Sequence, residues 1–76
     1  MEIKTFIKNF ANQFDEIDEN TLTPNTVFHD LDEYSSIVAL SIIAMIDEEY
    51  GVAIGAEDMR ESVTIEDLFN IVQSKI

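Results

Sequence analysis

Residues 34–50 read Tyr34-Ser35-Ser36-Ile37-Val38-Ala39-Leu40-Ser41-Ile42-Ile43-Ala44-Met45-Ile46-Asp47-Glu48-Glu49-Tyr50. Two hydroxyls head the stretch, an apolar run interrupted only by Ser41 follows, and three acids close it. A serine before an apolar run and Gly51 after it are start and stop signals. They predict a helix from Ser35 or Ser36 to about Tyr50. The run is apolar nearly all round, which predicts a central helix touching several neighbours. From Ile37 to Ile46 it is too short to cross a bilayer. Asp47, Glu48 and Glu49 oppose the helix dipole at its C-terminal end, by a few tenths of a kcal/mol each. Local helix stability therefore does not account for them, whereas solubility or partner binding would.

Upstream, Ile3, Phe6, Ile7, Phe10 and Phe14 make one apolar stripe at helical spacing and predict a helix over residues 2–16. Residues 17–34 lose that period. Thr21, Thr23, Pro24, Asn25 and Thr26 favour turns, yet Leu22, Val27, Phe28 and Leu31 are apolar. A long loop with buried anchors is expected there. Downstream, Val52 and Ile54 read as a short extended piece, and Glu57-Asp58-Met59 as a single helical turn. Thr64 with Asp67 approximates a capping box for a last helix over 65–75, whose stripe is Ile65, Leu68, Phe69, Val72 and Ile76. The expected fold is all-α. It is a small bundle of three main helices and a short third one, with a long loop between the first and second helices. Seventy-six residues make one domain, 1–76, without room for a second core.

Sixteen acids face four bases, for a formal net charge of −12. The bases are Lys4, Lys8, Arg60 and Lys75. Between Lys8 and Arg60 twelve acids fall and no Lys or Arg. Phosphate backbones and anionic lipid surfaces would repel such a chain, so neither nucleic acid binding nor stable membrane insertion is expected. A partner with a basic patch would be steered toward it. The chain has no cysteine, hence no disulfide framework and no thiolate zinc site. No signal-peptide core stands at the N-terminus, and a cytoplasmic location is expected.

Three groupings invite a chemical reading. His29 has Asp30 and Asp32 beside it and serines nearby, the parts of a nucleophilic triad. A bundle this small offers no water-poor cleft for one, and His29 reads as a solvated loop histidine. Asp15-Glu16-Ile17-Asp18-Glu19-Asn20 is oxygen-rich but places Ile17 third and no glycine sixth. It fails as a calcium loop, and no metal site is expected. The serine pair remains. One hydroxyl suffices to cap the helix, at about 1 kcal/mol. A hydroxyl at a helix N-terminus also suits a phosphodiester, because the free N–H groups there favour phosphate.

Ser35-Ser36-Ile37, the apolar helix ending in Asp47-Glu48-Glu49-Tyr50, the Gly51-Val52-Ala53-Ile54 piece, Glu57-Asp58 and Thr64-Ile65-Glu66-Asp67-Leu68 follow one another in a recognisable order. Together with the chain's length and acidity, they resemble acyl carrier proteins across almost the whole sequence. The resemblance implies a four-helix carrier that is not an enzyme. It implies 4′-phosphopantetheine, donated by coenzyme A and attached to a serine by a phosphopantetheinyl transferase, holding cargo as a thioester. Counting back from Asp47 to Tyr50 aligns Ser36 with the carrier serine and Ile37 with the usual leucine. Ser35 is the second choice for attachment and otherwise the helix cap, standing where the family has aspartate. Val38 and Ser41 stand where fatty-acid carriers commonly have acids.

The resemblance further implies a monomer that meets loading, elongating or transferring enzymes through basic docking patches. Asp30, Asp32, Glu33, Ile37, Val38, Asp47 and Glu48 are the docking candidates. Phe28, Ile37, Leu40, Ile46, Val52 and Ile54 are candidates to line an acyl pocket or, singly, to serve as plain core. The expected role is an acyl carrier in fatty-acid, polyketide or other lipid-type biosynthesis, specialised rather than housekeeping. An aminoacyl or D-alanyl carrier, and an unmodified acidic interaction domain with the same fold, remain the alternatives.

Overall fold

The computed structural model describes residues 2–76. Four α-helices follow in order: α1 Ile3–Ala11, α2 Ser36–Tyr50, α3 Ala56–Glu61 and α4 Ile65–Lys75. Short 3-10 turns, Glu19–Thr21 and Phe28–Asp30, punctuate the long loop between α1 and α2. The architecture is the expected small helical bundle.

The first helix is shorter than its apolar stripe predicts. It stops at Ala11, and the Gln13 and Phe14 N–H groups donate to Phe10 and Ala11 carbonyls at 3.1 and 3.0 Å. These tighter i→i+3 bonds turn the chain. Phe14 is still buried, brought inward by the turn rather than by another helical turn. Asp15 and Glu16 would also have opposed the dipole of a longer helix.

The middle of the sequence is apolar nearly all round, but α2 is not buried all round. Ile42, Met45 and Ile46 face the core, with Val38, Ala39 and Ile43 half-buried beside them. Ile37 and Leu40 stand 77% and 66% exposed. The expected central helix is thus central along one stripe, and its N-terminal half offers an apolar face to solvent. Gly51 ends it at φ 66°, ψ 26°, donating its N–H to the Asp47 carbonyl at 2.9 Å. A Cβ at Gly51 would meet nothing within 4 Å. Gly51→Ala is therefore expected to cost about 1 kcal/mol through backbone strain alone. Chemical denaturation would check this, and an unchanged midpoint would contradict it.

The loop is anchored as expected at Leu22 and Phe28, both buried, whereas Val27 keeps 38% of its surface exposed. Its backbone supplies a further tie that local sequence does not reveal. Val27 and Thr64 form an isolated antiparallel bridge. The Pro24 and Thr26 carbonyls accept from Glu66 and Ile65 N–H groups at 2.9 and 3.1 Å. Two otherwise orphaned donors at the start of α4 are thus satisfied by the loop.

Beyond α2, Val52 and Ile54 are buried on either side of exposed Ala53, the alternation of an extended piece. The single turn expected at 57–59 extends to six residues, with the Asp58 carboxylate accepting from the Gly55 N–H at 3.2 Å. The last helix spans its expected residues. Thr64 Oγ1 accepts from the Asp67 N–H at 3.1 Å, and Asp67 Oδ2 accepts from Thr64 and Val63 N–H groups at 3.0 and 3.1 Å.

Those donors, Thr64 first and Val63 next, hold the Asp67 carboxyl below the usual carboxylate value. Because the folded value lies below the unfolded one, the contribution is full above about pH 4. It is lost as pH falls through the folded value. Asp67→Asn is expected to flatten the acid side of the stability curve. Melting temperatures of both proteins from about pH 5 to pH 2 would test this, and parallel curves would contradict it.

Candidate functional site

The site is built at the junction of the long loop and α2. Ser35 has extended backbone, and its Oγ accepts from the Val38 N–H at 3.3 Å while its carbonyl accepts from Ala39 at 2.8 Å. It is the cap. Ser36 is the first helical residue and is exposed. Its hydroxyl lies outside the capping bond. As N1 and N2 residues, Ser36 and Ile37 carry N–H groups without intrahelical acceptors. The start of α2 therefore pairs a free hydroxyl with two free donors and the positive end of a fifteen-residue helix.

The chain just before it is held by stacked rings. The Phe28 ring packs inside against Phe10 at 5.4 Å and against Tyr34 at 5.3 Å. The His29 ring stacks on Phe28 at 4.4 Å and meets Tyr34 edge-on at 5.0 Å. Burial pushes the Tyr34 phenol pKa above its ordinary value. His29 is more than the solvated loop histidine the sequence suggests. Its Nε2 lies 2.9 Å from both the Met59 and Ser62 carbonyls. Both partners are acceptors only, so Nε2 carries a hydrogen and donates. The ring thereby staples the loop to the end of α3, and Nε2 is not free to take a proton from a serine.

Between α2 and α3 lies an open groove of about 430 Å³, with Ser36, Leu40, Ile43, Met59 and Arg60 among its walls. Of the acyl-pocket candidates, Leu40 lines it. Phe28, Ile46, Val52 and Ile54 are buried in the core. Ile37 stands on the opposite flank of α2. There a second groove, of about 410 Å³, brings Glu33, Ile37, Val38 and Ser41 together with Phe14, Asp15 and Glu16. Asp32 is exposed in the loop, and Asp47 and Glu48 are exposed at the far end of α2, about 15 Å along the helix from Ile37. Ile43, Met59 and Arg60 were not among the sequence candidates. Ile43 shares the helical face of Ser36 seven residues on, which spacing could have shown, whereas only the approach of α3 to α2 brings Met59 and Arg60 into the groove.

Among the described residues, no helix is long and apolar enough to cross a membrane. A comparison with curated proteins finds no match to this chain. The family model for the phosphopantetheine attachment site matches residues 5–72. That span contains the long loop, both serines, all of α2 and α3 and most of α4. Members of this family bear 4′-phosphopantetheine covalently and present cargo to partner enzymes, after modification by a phosphopantetheinyl transferase, without being catalysts themselves. An exposed hydroxyl beside free N–H donors at a helix start suits a phosphodiester. The chain belongs to the phosphopantetheine attachment family of carrier proteins.

Proposed function

We propose that Ser36 carries the arm and that the chain is an acyl carrier protein working as a cytoplasmic monomer in fatty-acid, polyketide or other lipid-type biosynthesis. One observation carries the assignment to Ser36. Ser35 is spent on the cap, whereas the Ser36 hydroxyl is exposed at the first position of α2. In forming the phosphodiester, Ser36 Oγ bonds to the β-phosphorus of coenzyme A, 3′,5′-ADP leaves, and the hydroxyl proton passes to the transferase. The chain itself has only to present the hydroxyl and bind the phosphate. The bound arm supplies a thiol for the cargo, and its length raises the cargo's effective concentration at each partner.

Acyl cargo is favoured over aminoacyl by the apolar side chains beside Ser36, namely Leu40, Ile43 and Met59. Phe28, Ile46, Val52 and Ile54 are buried in the packed core, so a chain reaching them would have to displace core. Docking is assigned to Asp32, Glu33, Ile37 and Val38 around the start of α2 and to Asp47 and Glu48 at its end. With Val38 and Ser41 uncharged, this face is more apolar than a housekeeping carrier's, which supports a specialised carrier with dedicated partners. Incubation with a broad-specificity transferase, Mg²⁺ and coenzyme A, followed by intact-mass measurement, tests the central assignment. A single phosphopantetheine adduct on the folded chain is expected, and none with several transferases would overturn it in favour of an unmodified interaction domain. Normal turnover in a reconstituted fatty-acid synthase would remove the specialised role.

A further inference from the structure

Arg60 is the chain's only arginine, and no lysine falls between Lys8 and Lys75. It is exposed on α3 and lines the same groove as Ser36. The histidine staple fixes the backbone next to it. His29 Nε2 bonds the carbonyl of Met59, the residue before Arg60. The His29 ring in turn lies 5.0 Å from Tyr34, two residues before Ser36. One ring thus ties the C-terminal end of α3 to the entrance of α2.

On residues 30–35 and on α3 every other charged residue is acidic: Asp30, Asp32 and Glu33 in the loop, and Glu57, Asp58 and Glu61 on α3. A phosphodiester on Ser36 would add one more anion to a chain already at −12. The free N–H groups of Ser36 and Ile37 meet that anion from the helix side. Arg60 is the cation available from the opposite wall. Glu57, three residues back on α3, competes only weakly, as exposed helix pairs do. A guanidinium also matches two phosphate oxygens at once, which a point charge does not.

We propose that Arg60 is a positioning residue for the arm, pairing with the phosphodiester on Ser36 and holding the arm's first segment along the α2–α3 groove. The proposal rests on the Ser36 reading. It assigns the short third helix a task of its own: to bring a single positive charge to an otherwise acidic entrance. Because the pair is exposed, it is sensitive to salt.

The test uses the intact chain before and after modification, with the adduct verified by mass. As the chain has one arginine, its Nε–Hε resonance is unambiguous in a nitrogen-15 spectrum. That resonance is expected to move on conversion to the modified form and to return toward its starting position at about 1 M salt, where screening acts within about 3 Å. The phosphorus-31 shift of the modified protein is expected to change in Arg60→Gln and to lie between the two in Arg60→Lys. Ser36→Ala carried through the same treatment should leave the arginine resonance still. If the adduct forms but the arginine resonance does not move, and Arg60→Gln has the wild-type phosphorus shift, the Arg60 role falls and the Ser36 reading stands. If no adduct forms on Ser36, both fall.

Discussion

Ser36→Ala is expected to abolish the phosphopantetheine adduct completely, while Ser35→Ala keeps it on a less stable protein. The two hydroxyls are adjacent, but the helix start gives them different work. Ser35 is extended and its Oγ accepts the Val38 N–H; Ser36 is already helical and its hydroxyl is exposed. Loss of the Ser35 cap is expected to cost about 1 kcal/mol. That is a melting temperature lower by roughly 4–8 °C for a chain of this size. Loss of Ser36 should barely change stability, since N1 tolerates alanine well. Intact mass and a thermal melt on each variant separate the effects. An adduct surviving in Ser36→Ala and missing in Ser35→Ala would move the attachment site back one residue. The same replacement, Ser35→Ala, also asks whether the serine that replaces the family's aspartate is needed for anything beyond capping.

Phe28→Ala is expected to destabilise the fold by about 3–5 kcal/mol, the range for truncating a fully buried phenylalanine. The Phe28 side chain is 0% exposed. It packs on Phe10 and Tyr34, and His29 stacks on it. Small domains have only about 5–15 kcal/mol in total, so this one ring accounts for a large share. Its loss also removes the support beneath His29, and so loosens the staple to Met59 and Ser62 that holds α3 near α2. The variant should therefore show earlier hydrogen exchange in α3 as well as a lower denaturation midpoint. A cost under about 1 kcal/mol would mean that the ring lines a space the fold does not need filled. That outcome would favour an acyl-pocket role for Phe28 over a core one.

Much of the helical plan is legible because it depends on local spacing. The stripe from Ile65 to Val72 and the Thr64–Asp67 pair locate α4, and Ser35 with Gly51 bracket α2. The same reasoning overextends α1, because periodicity records that Phe14 belongs on the apolar side without recording how it gets there. A tight turn after Ala11 delivers it equally well. The groove candidates diverge for a related reason. Phe28, Ile46, Val52 and Ile54 are apolar enough to be either wall or core, and only their burial in one cluster with residues of α1 and α4 makes them core.

By itself the sequence determined the number and order of helices, the acidic character, and a hydroxyl pair at the head of α2, since these follow from composition, capping chemistry and a 3.6-residue period. Which serine caps follows from one backbone conformation, that of Ser35. Which residues surround Ser36 was decided only in three dimensions. The His29 contacts to Met59 and Ser62 span 30 and 33 residues, and the Pro24 and Thr26 carbonyls reach α4 from the middle of the loop. A periodic pattern states that a face is apolar or charged, but not what will cover it. The meeting of α3 with α2, and with it Arg60 in the same groove as Ser36, is a property of the packed fold.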